Sequence, residues 1–258
     1  MHKIINKQII GSNIKRLEVA ADVISRKAQP GQFVMVMPDE KSERIPLSVI
    51  DNDPQKGIIT LIFEEVDDSS KELGALHIGD SVFAILGPLG LPAEIKHLGV
   101  VLCVGYEIGI AQLLSISRAY RKMENKVIGL VGAATKRTLI LESQMRLACQ
   151  KLYLATEDGS YERRGAIIDI LSQIIHRENV NLVYAIGPLA MMQAVSEITQ
   201  QKKIKTLVSL KPMMVDGIGL CGSCRVKVED RELLACMDGP EFDGHAVDFE
   251  DLAIRTNP

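Results

Sequence analysis

The chain has 258 residues, of which 47% are hydrophobic and 24% are charged, and its formal net charge is −3. This balance is typical of a folded chain of about two domains and excludes a disordered one. There is no dense Lys/Arg tract for nucleic acid, no apolar run of the roughly 18–20 residues that a membrane span needs, and no apolar signal segment at the N-terminus. We therefore expect a cytoplasmic protein that binds neither nucleic acid nor a membrane.

Residues 1–95 predict an antiparallel β-barrel. Short apolar and β-branched runs are separated by Gly, Pro, Asp and Asn, which mark turns. Many short strands with little helix between them are typical of a barrel. The predicted strands are Ile14–Val19, Gln32–Val36, Leu47–Ile50, Gly57–Glu64 and Ser81–Leu86.

Residues 96–208 change character and predict a second, α/β domain. Buried-strand patterns alternate with helical ones, which indicates a parallel sheet with helices on both faces. The strands are expected at Gly99–Val104, Lys126–Val131, Lys151–Ala155, Leu182–Ile186 and Ile204–Ser209, and the helices at 109–122, 139–149, 165–177 and 188–201. Residues 209–258 are too few for a secure core of their own, so a bound metal group would stabilise them.

Two segments of the barrel region have the chemistry of an anion or cofactor site. In Arg44-Ile-Pro46-Leu47-Ser48 the guanidinium can clamp a pyrophosphate, and the serine hydroxyl can donate to a ring nitrogen. Ser69 and Ser70 place two more hydroxyls in a loop. The alternative for the first segment is an exposed arginine before an ordinary strand. The alternative for the second is a solvated turn.

Three loops of the α/β region follow the carboxyl ends of predicted strands, where parallel sheets bind ligands. They contain Gly105 and Gly109 in the first loop, Asp158 and Gly159 in the second, and Gly187 in the third. The first joins a strand to a helix, which is the place of a phosphate-binding turn. The alternative is a plain strand–helix turn.

A cluster of cysteines is the most specific motif of the chain. Asp216, Cys221, Cys224 and Cys236 follow the spacing D-x₄-C-x₂-C-x₁₁-C, within a loop that is rich in glycine. The plant-type spacing of [2Fe–2S] proteins is C-x₄-C-x₂-C with a distant fourth cysteine, so an oxygen ligand would replace the first thiolate. Glycine lets backbone N–H groups turn inward toward the cluster sulfurs.

A structural zinc site is the competing interpretation of these cysteines, with His245 as a candidate fourth ligand. Zinc sites usually pair two short Cys or His units, whereas only one short pair is present. The loop that contains Cys221 and Cys224 is followed by a predicted hairpin and then by Cys236 as the last ligand. This order is ferredoxin-like and favours the iron–sulfur interpretation.

Taken together, these parts resemble the ferredoxin–NADP reductase superfamily over nearly the whole chain. The similarity is closer to the electron-transfer subunits of dihydroorotate dehydrogenase, and closer still to the small subunit of NADH-dependent reduced ferredoxin:NADP oxidoreductase. It is carried by the segments 209–226 and 235–249, by Arg-x-Pro-Leu-Ser and by the α/β region.

The resemblance implies FAD on the barrel, a [2Fe–2S] cluster on the tail and NAD(P) on the α/β domain. FAD would be held by Arg44, Pro46, Leu47, Ser48, Ile62, Phe63, Glu64, Ser69 and Ser70. The nucleotide would be held by Gly105, Gly109, Asp158, Gly159 and Gly187, and the cluster by Asp216, Cys221, Cys224 and Cys236.

The chain departs from the family pattern at the nucleotide loop. Where the pattern has Gly-Gly-Gly-x-Gly-Ile-Ala-Pro, this chain has Tyr106 and Glu107 for two glycines and Gln112 for the proline. An arginine of the pattern Gly-Ala-Arg-Thr is replaced by Ala134. We expect these changes to weaken NAD(P)H binding.

The resemblance implies an NAD(P)H-dependent electron-transfer subunit that passes electrons through FAD and the cluster to a larger flavin/iron–sulfur subunit, with ferredoxin as a further candidate partner. One alternative is the corresponding subunit of a dihydroorotate dehydrogenase. Another is a relay or scaffold subunit that no longer binds nucleotide.

Overall fold

A computed structural model of the chain describes residues 2–256, which form two compact units. The first contains the residues up to Ala93 together with Lys211–Arg225 and Leu234–Pro240. The second contains Glu94–Leu210, Val226–Leu233 and the residues from Glu241 onward. The cysteine loop is thus grouped with the N-terminal strands. The assignment of one cofactor to each of the segments 1–95, 96–208 and 209–258 stays a prediction.

The first unit is built on an antiparallel seven-stranded sheet with the order β6-β1-β2-β5-β4-β3-β7. Its elements are β1 His2–Ile9, β2 Ile14–Ala20, α1 Asp22–Lys27, β3 Phe33–Met37, β4 Ile45–Asp53, β5 Ile58–Glu64, α2 Asp68–Ala75, β6 Ser81–Val82 and β7 Ala84–Leu89. Alternate residues of the strands, such as Leu17 and Val19, or Leu61 and Phe63, point into one buried core. Irregular register in three strand pairs bends the sheet.

The second unit is an α/β layer around a mostly parallel sheet with the order β11-β10-β9-β8-β12-β13-β16. Its main elements are β8 Val100–Tyr106, α3 Gly109–Lys122, β9 Lys126–Ala133, α4 Glu142–Ala148, β10 Lys151–Thr156, β11 Arg163–Arg164, α5 Ile167–Arg177, β12 Leu182–Ile186, α6 Leu189–Gln201 and β13 Lys205–Ser209. The strand order reverses between β8 and β12, so the loops after these strands flank the crevice where such sheets bind ligands.

The remaining elements follow the cysteine loop. They are β14 Arg225–Val228, β15 Arg231–Leu234, β16 Glu241–Asp243 and α7 Phe249–Thr256. Strand β16 pairs antiparallel with β13. No helix within residues 2–256 has the length and apolar character that crossing a bilayer requires.

The predicted fold class is confirmed, and the elements of the second unit lie close to their predicted positions. The structure adds β1, α1 and α2, which the sequence analysis did not single out. Strand β1 has only one fully buried side chain, Ile4, in the sequence HKIINKQI, so its pattern of alternation is weak.

A half-buried carboxyl group lies where β16 joins the sheet. The Tyr184 hydroxyl donates a hydrogen bond of 2.7 Å to Glu241 Oε1. Burial raises the pKa of Glu241 from 4.5 to about 7, and the hydrogen bond from Tyr184 opposes this shift. The folded chain therefore holds this proton at pH values where the unfolded chain has lost it.

This shift predicts how stability changes with pH. Between about pH 4.5 and 7 the native state binds more protons than the unfolded state, so Glu241 lowers the free energy of unfolding as pH rises, by at most about 3 kcal/mol. Glu241→Gln stays neutral and still accepts from Tyr184, so the variant should lose this contribution. Urea unfolding at pH 5 and pH 8 measures it, and an identical pH dependence in both proteins would contradict the prediction.

Candidate functional site

A cavity of about 720 Å³ in the first unit contains the predicted arginine. Its lining includes Arg44, Pro46, Asp67, Lys211 and Asp216. Arg44 is exposed, and its guanidinium makes no hydrogen bond or ion pair with any residue of 2–256. This volume is within the range of cofactor pockets, and a cation without a partner fits an anionic phosphate.

The other residues of the Arg44 segment divide between the cavity and the core. Pro46 is half-buried and lines the cavity. Leu47 is one of the core residues, and Ser48 is buried in β4. Pro46 pairs with Met35 of β3 in the antiparallel ladder, which fixes the position of the segment.

The two remaining segments that were predicted to bind FAD are largely engaged within the fold. Phe63 is in the core, Ile62 is buried, and Glu64 accepts from Asn13 at 2.7 Å. Ser69 Oγ accepts from the backbone of Glu43 at 3.0 Å. Ser70, which is 1% exposed, completes a capping box with Asp67 at the start of α2. The Ser70 hydroxyl both accepts and donates within the capping box, so a cofactor contact would compete with these bonds, whereas Ser69 only accepts and keeps its hydroxyl proton for another acceptor.

The cysteine loop is organised around the carboxylate of Asp216. Gly217, Gly219 and Gly222 have φ values of 74°, 81° and 68°, in the left-handed region that glycine adopts without strain. The turns direct three backbone N–H groups at Asp216: Ile218 donates at 2.9 Å, Leu220 at 3.0 Å, and Cys221 also donates. The bond from Ile218 is the largest influence that holds the pKa of Asp216 below its ordinary value.

The four predicted cluster ligands form two pairs. Cys224 and Cys236 are buried with their sulfurs 3.3 Å apart, while Cys221 is joined to Asp216 by its backbone N–H. Burial raises the pKa of Cys236 to about 12. The Ser223 hydroxyl, 3.1 Å from the exposed sulfur of Cys221, lowers the pKa of that thiol.

This arrangement bears on the choice between zinc and an iron–sulfur cluster. Tetrahedral zinc needs its ligands around a single point, whereas a binuclear cluster takes two ligands at each iron. His245 is engaged elsewhere, since its Nε2 is 3.0 Å from Thr199 Oγ1. The donor set therefore fits a binuclear cluster.

In the second unit, the predicted glycines lie at the carboxyl edge of the parallel sheet. A Cβ atom on Gly109 would come within 2.8 Å of the Ile186 carbonyl oxygen, and one on Gly105 within 2.7 Å of Leu113. These glycines therefore permit close packing of β8, α3 and β12. Gly187 likewise adjoins Tyr106.

The second predicted loop lies after β10. Gly159 has a φ of 74°, and the Asp158 carboxylate accepts from the Ser160 backbone at 2.9 Å. Hydrogen bonds from Ser160 hold the pKa of Asp158 below its ordinary value. The loop is therefore ordered by its own polar groups and carries a fixed negative charge.

Sequence reasoning missed three charged residues of the cavity, Glu43, Asp67 and Lys211, and the role of the residue that replaces one proline. Lys211 and Asp67 line the same cavity as Arg44. Lys211 lies five residues before Asp216, and this proximity to the predicted ligands could have identified it from the sequence. Gln112 is buried and donates to Ser209 Oγ at 2.7 Å, so it links α3 to β13 where the family pattern has a proline.

Comparison with known proteins agrees with this geometry. Residues 211–248 match the model of the iron–sulfur cluster binding domain of dihydroorotate dehydrogenase B. A chain in the structure of NADH-dependent reduced ferredoxin–NADP oxidoreductase, studied for flavin-based electron bifurcation, has a TM-score of 0.94 and 34% identity, over 99% of this chain and 92% of that one. The fold and the cysteine loop thus define an iron–sulfur protein of the ferredoxin–NADP reductase type.

The chain is 37% identical over 251 residues to the dihydroorotate dehydrogenase B (NAD(+)) electron transfer subunit homolog of Thermotoga maritima. The alignment covers 94% of this chain and 89% of the relative. The chain is also 37% identical over 264 residues to an uncharacterized protein from the adh 3′ region of Clostridium beijerinckii, over 99% and 89% of the two chains. This protein belongs to the family of dihydroorotate dehydrogenase B electron transfer subunits and their homologues. The resemblance stated from the sequence is confirmed, as is an iron–sulfur binding domain in the C-terminal segment.

The two ligand pairs predict a specific effect of exchanging Asp216. Asp216→Cys should retain two irons per chain but shift the midpoint potential and the EPR g-values, because a thiolate donates more charge to iron than a carboxylate does. Asp238→Cys is the matched control, since Asp238 binds the backbone of Leu234 at 2.7 Å in the same region but is not a predicted ligand. Identical spectra for wild type and Asp216→Cys would remove Asp216 from the ligand set.

Proposed function

We propose that this protein is the electron-transfer subunit of an NAD(P)H-dependent oxidoreductase complex, and that it binds FAD, a [2Fe–2S] cluster and a pyridine nucleotide. The observation that carries the proposal is that Arg44 and Asp216 line one cavity of the first unit. A cation suited to a phosphate thus adjoins a loop of cluster ligands. When bound, FAD exchanges two electrons with a nucleotide and single electrons with a cluster, and the protein supplies binding and orientation.

In this proposal the residues of the cavity, the cysteine loop and the sheet edge have separate tasks. Arg44 binds the FAD pyrophosphate, and Pro46 shapes the wall of the cavity. Asp216 and Cys221 bind one iron, while Cys224 and Cys236 bind the other. The loops at Gly105, Asp158 and Gly187 bind the nucleotide.

The surface of the cysteine loop supports docking of a larger subunit. Leu220, next to Cys221, is 82% exposed, and Met213, Val215, Ile218 and Met237 are exposed as well. Apolar side chains grouped on a loop are typical of a protein interface. We assign this surface to the larger flavin/iron–sulfur subunit, because the curated relatives are named as subunits of a complex.

Two kinds of larger subunit remain as candidates. The near-complete overlap with a ferredoxin–NADP oxidoreductase chain favours a complex of that type. The family model and the Thermotoga maritima relative favour a dihydroorotate dehydrogenase complex as the second candidate.

Co-purification distinguishes the two complexes. We expect a tagged chain, isolated anaerobically from its host, to contain FAD and two irons. It should retain the larger subunit of the first candidate complex, which the resemblance implies is a glutamate-synthase-like flavoprotein. Retention of a dihydroorotate dehydrogenase catalytic subunit would select the second candidate. Stoichiometric zinc with no iron would contradict both.

Replacement of Arg44 tests the flavin site. Arg44→Ala should weaken FAD binding about ten- to a hundredfold, because one charge-assisted hydrogen bond contributes roughly 1.5–3 kcal/mol. The matched control is Arg26→Ala, which removes an exposed arginine that is paired with Asp22 and does not line the cavity. Equilibrium dialysis of the flavin gives both affinities, and equal FAD retention by the two variants would exclude Arg44 from the site.

A further inference from the structure

The loop after β8 holds a glutamate in a backbone conformation that suits glycine. Glu107 has a φ of 45°, and its backbone N–H donates to the Gly132 carbonyl at 3.0 Å. A left-handed conformation is unfavourable for a residue with a side chain. In the family pattern quoted above, this position is a glycine. The loop has therefore kept the backbone geometry of a glycine while acquiring a carboxylate.

The Glu107 carboxylate bonds to the neighbouring loop of the sheet edge. Glu107 Oε1 accepts from the backbone N–H of Ala134 at 3.1 Å. Ala134 directly follows β9, so its amide lies at the carboxyl edge, where phosphate oxygens are bound in nucleotide folds. A side-chain anion thus takes an amide that a ligand anion would use.

The adjacent Tyr106 lies against the ends of two strands at this edge. Its side chain lies against Gly132 and Gly187, since a Cβ on these glycines would be 3.2 Å and 3.0 Å from atoms of Tyr106. The Tyr106 hydroxyl donates to Glu157 at 2.7 Å, in the loop after β10. Tyr106 therefore contacts the ends of β9 and β12 and is tethered to the loop after β10.

We infer that Tyr106 and Glu107 form an internal occupant of the nucleotide crevice, and that a dinucleotide binds only after displacing both side chains. This inference rests on the proposed function, because it assumes that the carboxyl edge is the nucleotide site. The occupant sets the affinity for the nucleotide in two ways. The tyrosine ring takes up space at the switch point, and the carboxylate both repels a pyrophosphate and holds the Ala134 amide.

The test compares glycine substitutions at two glutamates of similar backbone geometry. Glu124 also has a left-handed backbone, with a φ of 58°, but it lies in the exposed turn between α3 and β9 at the opposite end of the strands. Glu107→Gly and Glu124→Gly therefore relieve the same kind of strain and remove the same charge. Only the first should tighten NADH or NADPH binding to the cofactor-loaded protein, by at least tenfold in anaerobic calorimetric titrations.

Two further variants separate the contributions of charge and ring. Glu107→Gln keeps an acceptor for Ala134 without the charge, so it should tighten binding less than Glu107→Gly. Tyr106→Phe releases the ring from Glu157 and should tighten binding several-fold. Independently of nucleotide, Glu107→Gly should speed amide hydrogen exchange at Ala134, and Glu124→Gly should not.

The outcomes distinguish the inference from the function on which it rests. If wild type binds nucleotide as tightly as Glu107→Gly, the internal occupant is overturned while nucleotide binding stands. If no variant binds NADH or NADPH although FAD and iron are present, nucleotide binding is overturned, and the inference falls with it. If both glycine variants tighten binding equally, general relief of strain or charge replaces the internal occupant as the explanation.

Discussion

The convergence of three backbone amides on one carboxylate determines the geometry of the cysteine loop. Asp216 accepts from Ile218, Leu220 and Cys221, and these bonds require the left-handed turns at the intervening glycines. Several backbone N–H bonds to one carboxylate stabilise its charged form, so the loop and its carboxylate support each other. The spacing of Asp216 and Cys221 fits this constraint, since the amides of Ile218 and Leu220 between them and of Cys221 itself reach the carboxylate.

The pairing of Cys224 with Cys236 depends on the residues that follow this loop. Ala235 donates its N–H to the Cys224 carbonyl at 3.0 Å, which places the distant cysteine beside the near one. The two thiols are buried, whereas Cys221 faces solvent among apolar side chains. One pair of predicted ligands is thus held within the fold and the other at its surface. This asymmetry suits a loop that meets a partner on one side only.

At the carboxyl edge of the parallel sheet, the close backbone packing of a nucleotide fold is present, but the side chains in the first loop differ from the family pattern. The close approaches at Gly105, Gly109 and Gly187 keep the strands, helix and loops packed as a nucleotide fold requires. The side chains of Tyr106 and Glu107 then bond to neighbouring loops and occupy the same edge. The buried bond from Gln112 to Ser209 shows that another departure from the family pattern is structural. Each replacement acquired a partner within the sheet unit.

The sequence by itself determined the class of fold, the alternation of strands and helices in the second unit and the identity of the cysteine motif. These properties follow from local patterns: alternation, helical periodicity, glycine punctuation and spacing, all of which act over a few residues. Only the tertiary structure decided which polar groups are engaged. The sequence could not show that Ser69 Oγ accepts from the backbone of Glu43, 26 residues away along the chain. It also could not show that Glu107 reaches an amide 27 residues away along the chain. Such bonds join distant segments, and their partners are set by how the strands pack rather than by any neighbouring residue.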